Sequence, residues 1–234
     1  MAADALERRL GTRKKAISLP VRQAMLDAAS FDLNDNRTFA ACFDIDRWFI
    51  NGHRFQSGQA VMPGTGYFEL IAEAMQEQGV TEPFEIRDLY FFRALDVPEV
   101  GSREIRVILE KTPEGFDFSV HFAHPIHSGD AWVLLAQAQI NLATRQSSRL
   151  DLSEIAKRLP DAEVGQGLKI GQEKHLEFGP HWRVLNKRSY NETEGLAELA
   201  LPREFLAETQ NFLMHPALLD IATGWAMELI TGYT

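Results

Sequence analysis

The chain has 234 residues, of which 45% are hydrophobic and 24% charged, a balance typical of a globular protein with one large domain or two small fused ones. Its formal net charge of −9 argues against nucleic acid as the main partner, and no apolar run reaches the roughly 18 residues needed to cross a membrane. Cys42 is the only cysteine, which excludes an intrachain disulfide and a thiolate metal cluster, and the N-terminus lacks the apolar core of a signal peptide. We therefore expect a cytoplasmic protein.

The first half of the chain predicts one helix wrapped by a curved antiparallel sheet. Residues 1–35 begin with a basic stretch interrupted by Gly11 and Pro20, which indicates a leader or linker. The strand pattern "RTFAACFDI" is followed by a loop and by a helix expected from about Gly64 to Gln78, whose apolar residues recur at three- and four-residue intervals. Three strand-like segments come next. Because the apolar stripe of the helix and one face of the sheet can bury each other, residues 36–144 form the first predicted unit.

The second half repeats this order of elements. Residues 145–164 are polar and can form a helix, with Pro160 as a stop, and they predict a linker between the units. In residues 165–234, "GPHWRVLNKRSYN" and "GLAELALP" have strand character, and "LMHPALLDIATGWAMELITGY" predicts a second apolar helix. Far fewer residues follow this helix than follow the first. The second unit is therefore expected to be truncated at its C-terminus, as in a fragment of a longer polypeptide.

Several motifs occur along these two units in a characteristic order. The segment "WFINGHRFQSGQAVMPGTGYFELIAEA" has a histidine, a glycine and then Pro-Gly at the start of the first helix. Further along come "FSVHFAHPIHSGDAWVLLAQAQI", "FGPHWRVL" and "HPALLDIATGWAM". Together they resemble the dehydratase domains of modular polyketide synthases and related fatty acid synthases, over roughly residues 38–230. This resemblance implies an α+β double-hotdog fold, that is, two helix-in-curved-sheet units.

The resemblance also implies a hydro-lyase that removes water from a β-hydroxyacyl thioester carried on an acyl carrier protein, giving an α,β-unsaturated acyl chain. The proton beside a thioester carbonyl is weakly acidic and the hydroxyl is a poor leaving group, so the reaction needs a base and an acid. His53 fits the base, because a neutral imidazole with a pKa near 6.5 accepts a proton at neutral pH. Asp220 fits the acid, or the anchor of the leaving hydroxyl, because burial raises the pKa of a carboxyl. Without the motifs, His53 could be an ordinary loop histidine and Asp220 could pair with a local donor.

The loop and the helix start carry the expected substrate contacts. Pro-Gly-Thr-Gly at the start of the first helix is expected to expose backbone N–H groups at the positive end of the helix dipole, where they would stabilise negative charge on the thioester carbonyl. The resemblance extends substrate binding to seven residues, which are Gly58, Pro63, Gly64, Thr65, Gly179, Pro180 and Leu219.

The motifs also depart from the pattern of the family. The loop after His53 is one residue longer than usual, and Phe178 stands where a tyrosine is usual, which removes a hydroxyl group. Four residues after Asp220 the family has a glutamine or histidine that holds the aspartate. Here that position is Gly224, which has no side chain to do so.

The resemblance implies a reaction without a metal or redox cofactor, on a substrate that arrives on the phosphopantetheine arm of the carrier protein. The segment "HFAHPIH" contains three histidines spaced three residues apart. In a strand, residues three apart face opposite sides, and Pro125 interrupts any helix, so the spacing does not predict a metal site.

The expected partners are the acyl carrier protein and other synthase domains of the same or an adjacent polypeptide, and a homodimer is compatible with the family. Nucleic acid and membrane are not expected partners. Two alternatives stay open. One is a product-template-like domain, which has the same double hotdog but guides aromatic cyclisation, and the other is a catalytically silent acyl-binding or scaffolding double hotdog.

Overall fold

The computed structural model describes residues 18–31, 36–123, 132–142 and 149–230, which form an α+β architecture. The strands are β1 (Ser18–Pro20), β2 (Ala28–Phe31), β3 (Arg37–Phe43), β4 (His53–Phe55), β5 (Ala60–Val61), β6 (Glu85–Phe91), β7 (Asp96–Val97), β8 (Arg103–Lys111), β9 (Gly115–Ala123), β10 (Trp132–Asn141), β11 (Glu163–Val164), β12 (Leu176–Phe178), β13 (Leu185–Tyr190) and β14 (Gly195–Leu199). The α-helices are α1 (Trp48–Asn51), α2 (Gly66–Glu77), α3 (Leu152–Arg158) and α4 (Pro216–Gly224), and the 3₁₀ turns are Gly171–Lys174, Pro180–Trp182, Arg203–Gln210 and Met227–Leu229.

The first unit is a seven-stranded antiparallel sheet that packs against α2. Its strand order is β1-β2-β3-β8-β9-β10-β6. The helix predicted from about Gly64 to Gln78 is confirmed with slightly tighter bounds, and Gly79 ends it with a positive φ of 80°, a backbone conformation that suits glycine. Sheet and helix share one hydrophobic core, whose fully buried members include Phe39, Ile71, Met75, Ile105, Phe118 and Leu135.

A second antiparallel sheet, β12-β4-β5-β7, joins the two halves of the chain. Strand β12 belongs to the second half and pairs with β4, so that Phe178 lies opposite His53. The first half therefore delivers its histidine directly beside a strand of the second half.

The third sheet, β11-β13-β14, lies in the second half, which also contains α4. The helix predicted from "LMHPALLDIATGWAMELITGY" is shorter than expected, because α4 ends at Gly224 and a 3₁₀ turn follows at Met227–Leu229. Glycine favours helix less than other residues apart from proline, and Gly224 is the last residue of α4. Asp220 lies in the middle of this helix.

The leader predicted for residues 1–35 is corrected by the structure for its described part. Strands β1 and β2 extend the seven-stranded sheet, and between them Met25 and Leu26 are fully buried. The backbone N–H groups of Met25 and Leu26 donate hydrogen bonds of 2.9 Å to the carboxylate of Glu73, which is itself buried. Burying a carboxyl group is costly unless it accepts hydrogen bonds. The bonds from Met25 and Leu26 meet this need and hold the segment between β1 and β2 against α2. Residues 1–17 lie outside the described part of the chain.

The linker predicted for residues 145–164 is also partly structured. Asp151 caps α3 by accepting hydrogen bonds from the N–H groups of Ser153 and Glu154, as expected for an N-cap aspartate. Strand β11 then pairs with β13, so the end of the predicted linker belongs to the sheet of the second half.

Two other expectations concern metals and membranes. His124 and His127 of the three-histidine segment lie outside the described residues, and among the described residues no group of three or more potential ligands could hold a metal ion. Within the same described ranges, no helix has the length and apolar character that crossing a membrane requires.

Candidate active site

His53 is held in a single orientation by the backbone that surrounds it. The residue begins β4 directly after the turn at Gly52 and is only 6% exposed. Its Nδ1 lies 2.9 Å from the carbonyl oxygen of Val61 on the neighbouring strand β5. Because a carbonyl only accepts hydrogen bonds, Nδ1 carries the proton and donates it, which leaves Nε2 with a free lone pair. This is the tautomer that a general base requires.

Burial lowers the pKa of His53 below the ordinary histidine value of 6.5, although the nearby Asp220 carboxyl and the Val61 carbonyl act in the opposite direction. The imidazole therefore stays neutral over a wider pH range than an exposed histidine.

Asp220 is presented by the short helix α4. Pro216 occupies the first turn of this helix, and His215 caps it, with Nδ1 accepting a hydrogen bond from the N–H of Leu218 at 3.4 Å. Asp220 is 9% exposed, and Oδ2 accepts a hydrogen bond of 2.7 Å from the indole N–H of Trp182. Burial raises the pKa of Asp220 above the ordinary 3.8, while the nearby His53 and the bond from Trp182 oppose that rise. The carboxyl therefore keeps its proton to higher pH than an exposed aspartate.

The two side chains meet at the wall of one cavity. Nε2 of His53 lies 3.7 Å from Oδ2 of Asp220, and both residues line a cavity of about 690 Å³ whose other walls are mainly apolar. The remaining lining includes Phe55, Val61, Met62, Tyr67, Phe68, Phe91, Phe92, Leu95, Gln172 and Leu176. A potential base and a potential acid thus border an apolar space that could take an acyl chain.

Two of the seven predicted substrate residues, Gly64 and Thr65, also line this cavity. Thr65 is buried, and its Oγ1–H donates to the carbonyl oxygen of Pro216 at 3.0 Å. That bond connects the start of α2 with the start of α4. This hydrogen bond therefore links α2 to α4 beside the cavity.

The other five predicted substrate residues lie outside the lining of the cavity. Pro63 is buried, and its carbonyl accepts the N–H of Gly66, while Gly58 occupies an exposed turn with a φ of 86°. Their positions support the loop that leads to α2. Leu219 is partly buried on α4.

Gly179 contacts the backbone before His53, and Pro180 precedes Trp182. The N–H of Gly179 donates to the carbonyl of Gly52 at 2.7 Å, and a Cβ on Gly179 would lie 2.8 Å from Cα of Gly52. Pro180 begins the 3₁₀ turn that contains Trp182. Gly179 thus allows two backbones to approach closely beside His53.

The start of α2 was predicted to expose unpaired backbone N–H groups, and three N–H groups of this turn are paired in the structure. The N–H groups of Gly66, Tyr67 and Phe68 donate to the carbonyls of Pro63, Gly64 and Thr65 within the turn. Within the described part of the chain, the N–H groups of Gly64 and Thr65 donate no backbone hydrogen bond, and both residues line the cavity.

Sequence reasoning missed Trp182, although the structure makes it the hydrogen-bond partner of Asp220. The resemblance drew attention to position 224 for a residue that holds Asp220, and Gly224 has no side chain to do so. A signal existed, because a buried carboxylate needs a donor and a buried tryptophan needs an acceptor for its N–H group. The sequence does not reveal that Trp182 is the donor for Asp220.

Comparisons with known proteins agree with this architecture. The family model described as "Polyketide synthase dehydratase domain" matches residues 24–123, and the model described as "Polyketide synthase dehydratase N-terminal domain" matches residues 171–227. Polyketide synthase PksM of Bacillus subtilis is 24% identical over 200 residues, which are 82% of this chain and 5% of that protein. The chain therefore spans only a small fraction of the length of this relative.

Solved structures show the same fold. A dehydratase domain of a trans-AT polyketide synthase from Brevibacillus brevis superimposes with a TM-score of 0.77 at 20% identity, covering 92% of this chain and 77% of that one. The dehydratase domain of the CurK module of curacin polyketide synthase has a TM-score of 0.71 at 18% identity, with coverage of 92% and 74%. The fold is thus the double hotdog of those domains. With both family models matching in order, the chain belongs to the polyketide synthase dehydratase family.

Proposed function

We propose that this protein removes water from a β-hydroxyacyl thioester carried on an acyl carrier protein, giving an α,β-unsaturated acyl chain. The observation that carries the proposal is the meeting of His53 and Asp220, 3.7 Å apart, at the wall of one largely apolar cavity. The carbons that lose the proton and the hydroxyl are adjacent in the substrate, so an acid and a base this close together can act on both.

His53 acts as the base in this proposal. Its Nε2 lone pair takes the proton from the carbon next to the thioester carbonyl, while the Nδ1–H bond to Val61 keeps the ring in place. The electron pair of the broken C–H bond becomes part of the new carbon–carbon double bond.

Asp220 acts as the acid. As the bond between the β-carbon and its hydroxyl breaks, the protonated carboxyl gives its proton to the departing oxygen, which leaves as water. The cycle ends with an imidazolium and a carboxylate within 3.7 Å of each other. Transfer of the proton from His53 to Asp220 then restores both groups, so the reaction consumes no proton and needs no change of oxidation state.

The start of α2 supports the charge that develops on the thioester oxygen. The amides of Gly64 and Thr65 lie at the cavity, at the positive end of the helix dipole, where N–H groups stabilise an oxyanion. No side chain at Gly64 obstructs the approach of the carbonyl to the backbone.

Two solved neighbours are in keeping with these roles. The structures of CurK dehydratase include one variant with histidine replaced by phenylalanine and one with aspartate replaced by asparagine, and both are named inactive mutants. The proposal assigns the corresponding chemistry in this chain to His53 and Asp220.

The partners follow from the substrate. We propose that an acyl carrier protein delivers the thioester on its phosphopantetheine arm, and that other synthase domains act on the chain before and after this step. The relative PksM is a polyketide synthase far longer than this chain, in keeping with such neighbours. A cytoplasmic location is part of the same proposal.

The test incubates the purified protein with a 3-hydroxyacyl carrier protein and follows loss of one water from the carrier-bound chain by mass spectrometry. His53→Ala and Asp220→Asn are each expected to lower the rate by about 10²- to 10⁴-fold. His175→Ala and Asp161→Asn, at exposed positions, serve as matched controls and should retain the rate.

Two results would contradict the proposal. Full activity in both site variants would remove His53 and Asp220 from the chemistry. Tight binding of the acyl carrier protein with no water lost by the wild-type protein would instead support the silent acyl-binding shell.

A further inference from the structure

A glutamine from outside α4 occupies the space beside Asp220 that Gly224 leaves open. Residues four apart on a helix lie on the same face, so position 224 is next to Asp220 along α4. A Cβ on Gly224 would lie 2.2 Å from Oε1 of Gln172 and 2.8 Å from its Cδ. Real Cβ atoms do not approach other atoms so closely. A side chain at position 224 would therefore have to displace the carboxamide of Gln172 from its present position.

Gln172 is presented by an anchored segment. It lies in the 3₁₀ turn Gly171–Lys174, where its carbonyl accepts the N–H of His175 at 2.9 Å. The next residue, Glu173, binds the guanidinium of Arg183 through both carboxylate oxygens at 3.0 Å. These contacts fix the backbone of the turn that carries Gln172.

Gln172 lines the cavity, but its side-chain oxygen has no hydrogen-bond donor in the described part of the chain. Gln172 lines the same cavity as His53 and Asp220. Its Oε1 is buried and accepts no hydrogen bond from the described part of the chain. A buried amide oxygen without a donor costs free energy, which a bound donor would recover. Such an acceptor beside a proton-donating carboxyl suits a ligand hydroxyl, which can donate one hydrogen bond and accept another.

We propose that Gln172 binds the β-hydroxyl group of the substrate through Oε1. This inference rests on the proposed function and names the residue that holds the leaving group. The hydroxyl hydrogen is donated to Gln172, and the hydroxyl oxygen accepts the proton of Asp220. When the carbon–oxygen bond breaks, the departing water keeps its hydrogen bond to Gln172. The amide therefore orients the leaving group toward the acid.

The first experiment measures binding in a His53→Ala background, where the ligand is not turned over. The probes are a 3-hydroxyacyl pantetheine thioester and the saturated acyl pantetheine thioester of the same length. Adding Gln172→Ala should weaken binding of the hydroxylated probe about tenfold, in line with loss of one hydrogen bond, and leave the saturated probe unchanged. Equal weakening of both probes, or no change in either, would overturn the proposal.

The second experiment exchanges the two positions. Gly224→Gln alone should lower the melting temperature and abolish the preference for the hydroxylated probe, because two side chains then compete for one space. Gln172→Gly combined with Gly224→Gln should recover much of both properties. A double variant no better than Gly224→Gln alone would contradict the shared site.

The outcomes separate this inference from the proposed function. If the wild-type protein prefers the hydroxylated probe through Gln172 but releases no water from it, the dehydratase proposal fails and the binding assignment stands. If the wild-type protein dehydrates its substrate and Gln172→Ala discriminates the probes as before, only the assignment of Gln172 fails.

Discussion

The indole N–H of Trp182 donates a 2.7 Å hydrogen bond to Oδ2 of Asp220, across the boundary between a 3₁₀ turn and α4. The ring of Trp182 is almost fully buried and stacks near that of Phe178, at an interplanar angle of 7°. A rigid donor thus takes over the holding role that position 224 cannot supply. The orientation of the acid depends on a contact between segments 38 residues apart.

Trp182→Phe tests this contact. The variant loses the only hydrogen bond that the carboxyl group of Asp220 accepts from a side chain in the described part of the chain, so kcat/KM should fall about tenfold. The bond from Trp182 lowers the pKa of Asp220, so its loss raises that pKa further. Because the acid must be protonated, the decline of kcat/KM at high pH should move to higher pH. Rate–pH profiles of both proteins measure the shift, with Trp132→Phe as a control, and a shift to lower pH would contradict the assignment.

Thr65→Val tests the tie between the two helices at the cavity. The side chain keeps its shape but no longer donates to the carbonyl of Pro216, which lies at the start of α4. The free energy of unfolding should fall by about 1 kcal/mol, measured by urea denaturation, and kcat/KM should fall as well because α4 carries Asp220. Thr65→Ser retains the hydroxyl group and should restore both quantities. Equal losses in the two variants would assign the effect to packing instead.

Gly179→Ala tests the close approach of two backbones beside His53. The added methyl group would lie 2.8 Å from Cα of Gly52, the residue before His53, so the two segments must separate. We expect the free energy of unfolding to fall by about 1 to 3 kcal/mol and kcat to fall without contact between Gly179 and the substrate. Pro180→Ala, at the neighbouring exposed position, should stay within about 0.5 kcal/mol of the wild-type protein. Unchanged stability in Gly179→Ala would show that the approach is not tight.

Glu73→Gln tests a buried carboxyl in α2 that takes no part in the proposed chemistry. Burial raises the pKa of Glu73 to about 8, above the ordinary 4.5, and the side chain lies beside Glu69, whose pKa burial also raises. Between these two pH values the folded protein binds more protons than the unfolded chain, so stability should fall as pH rises from about 4.5 to about 8.

Glutamine does not ionise, so this variant should show a flatter dependence of unfolding free energy on pH. Urea denaturation at several pH values between 5 and 9 measures the slope. Glu82→Gln, at an exposed position, should follow the wild-type curve. If Glu73→Gln follows that curve too, the buried carboxyl does not set the pH dependence.

Much of the architecture was predictable because it depends on local patterns. The three- and four-residue spacing of apolar side chains predicted α2, and Gly79 marked its end. Strand-like segments were also predicted after this helix, and the long strands β8 and β9 lie in that part of the chain. The short strands β1 and β2 escaped prediction because three or four residues carry too little periodicity. They belong to the sheet because β2 pairs with β3, and the segment between β1 and β2 donates hydrogen bonds to the carboxyl group of Glu73, more than 40 residues away along the chain.

The sequence by itself determined which chemical groups the site contains, since the motifs around His53 and Asp220 name an imidazole, a carboxyl and a glycine-lined helix start. Only the tertiary structure decided how those groups are held. Val61 sets the tautomer of the histidine, Trp182 orients the carboxyl, and Gln172 fills the space next to Gly224. The physical reason is distance along the chain: local spacing predicts an element, whereas the partner of a buried polar group depends on which distant segments pack together.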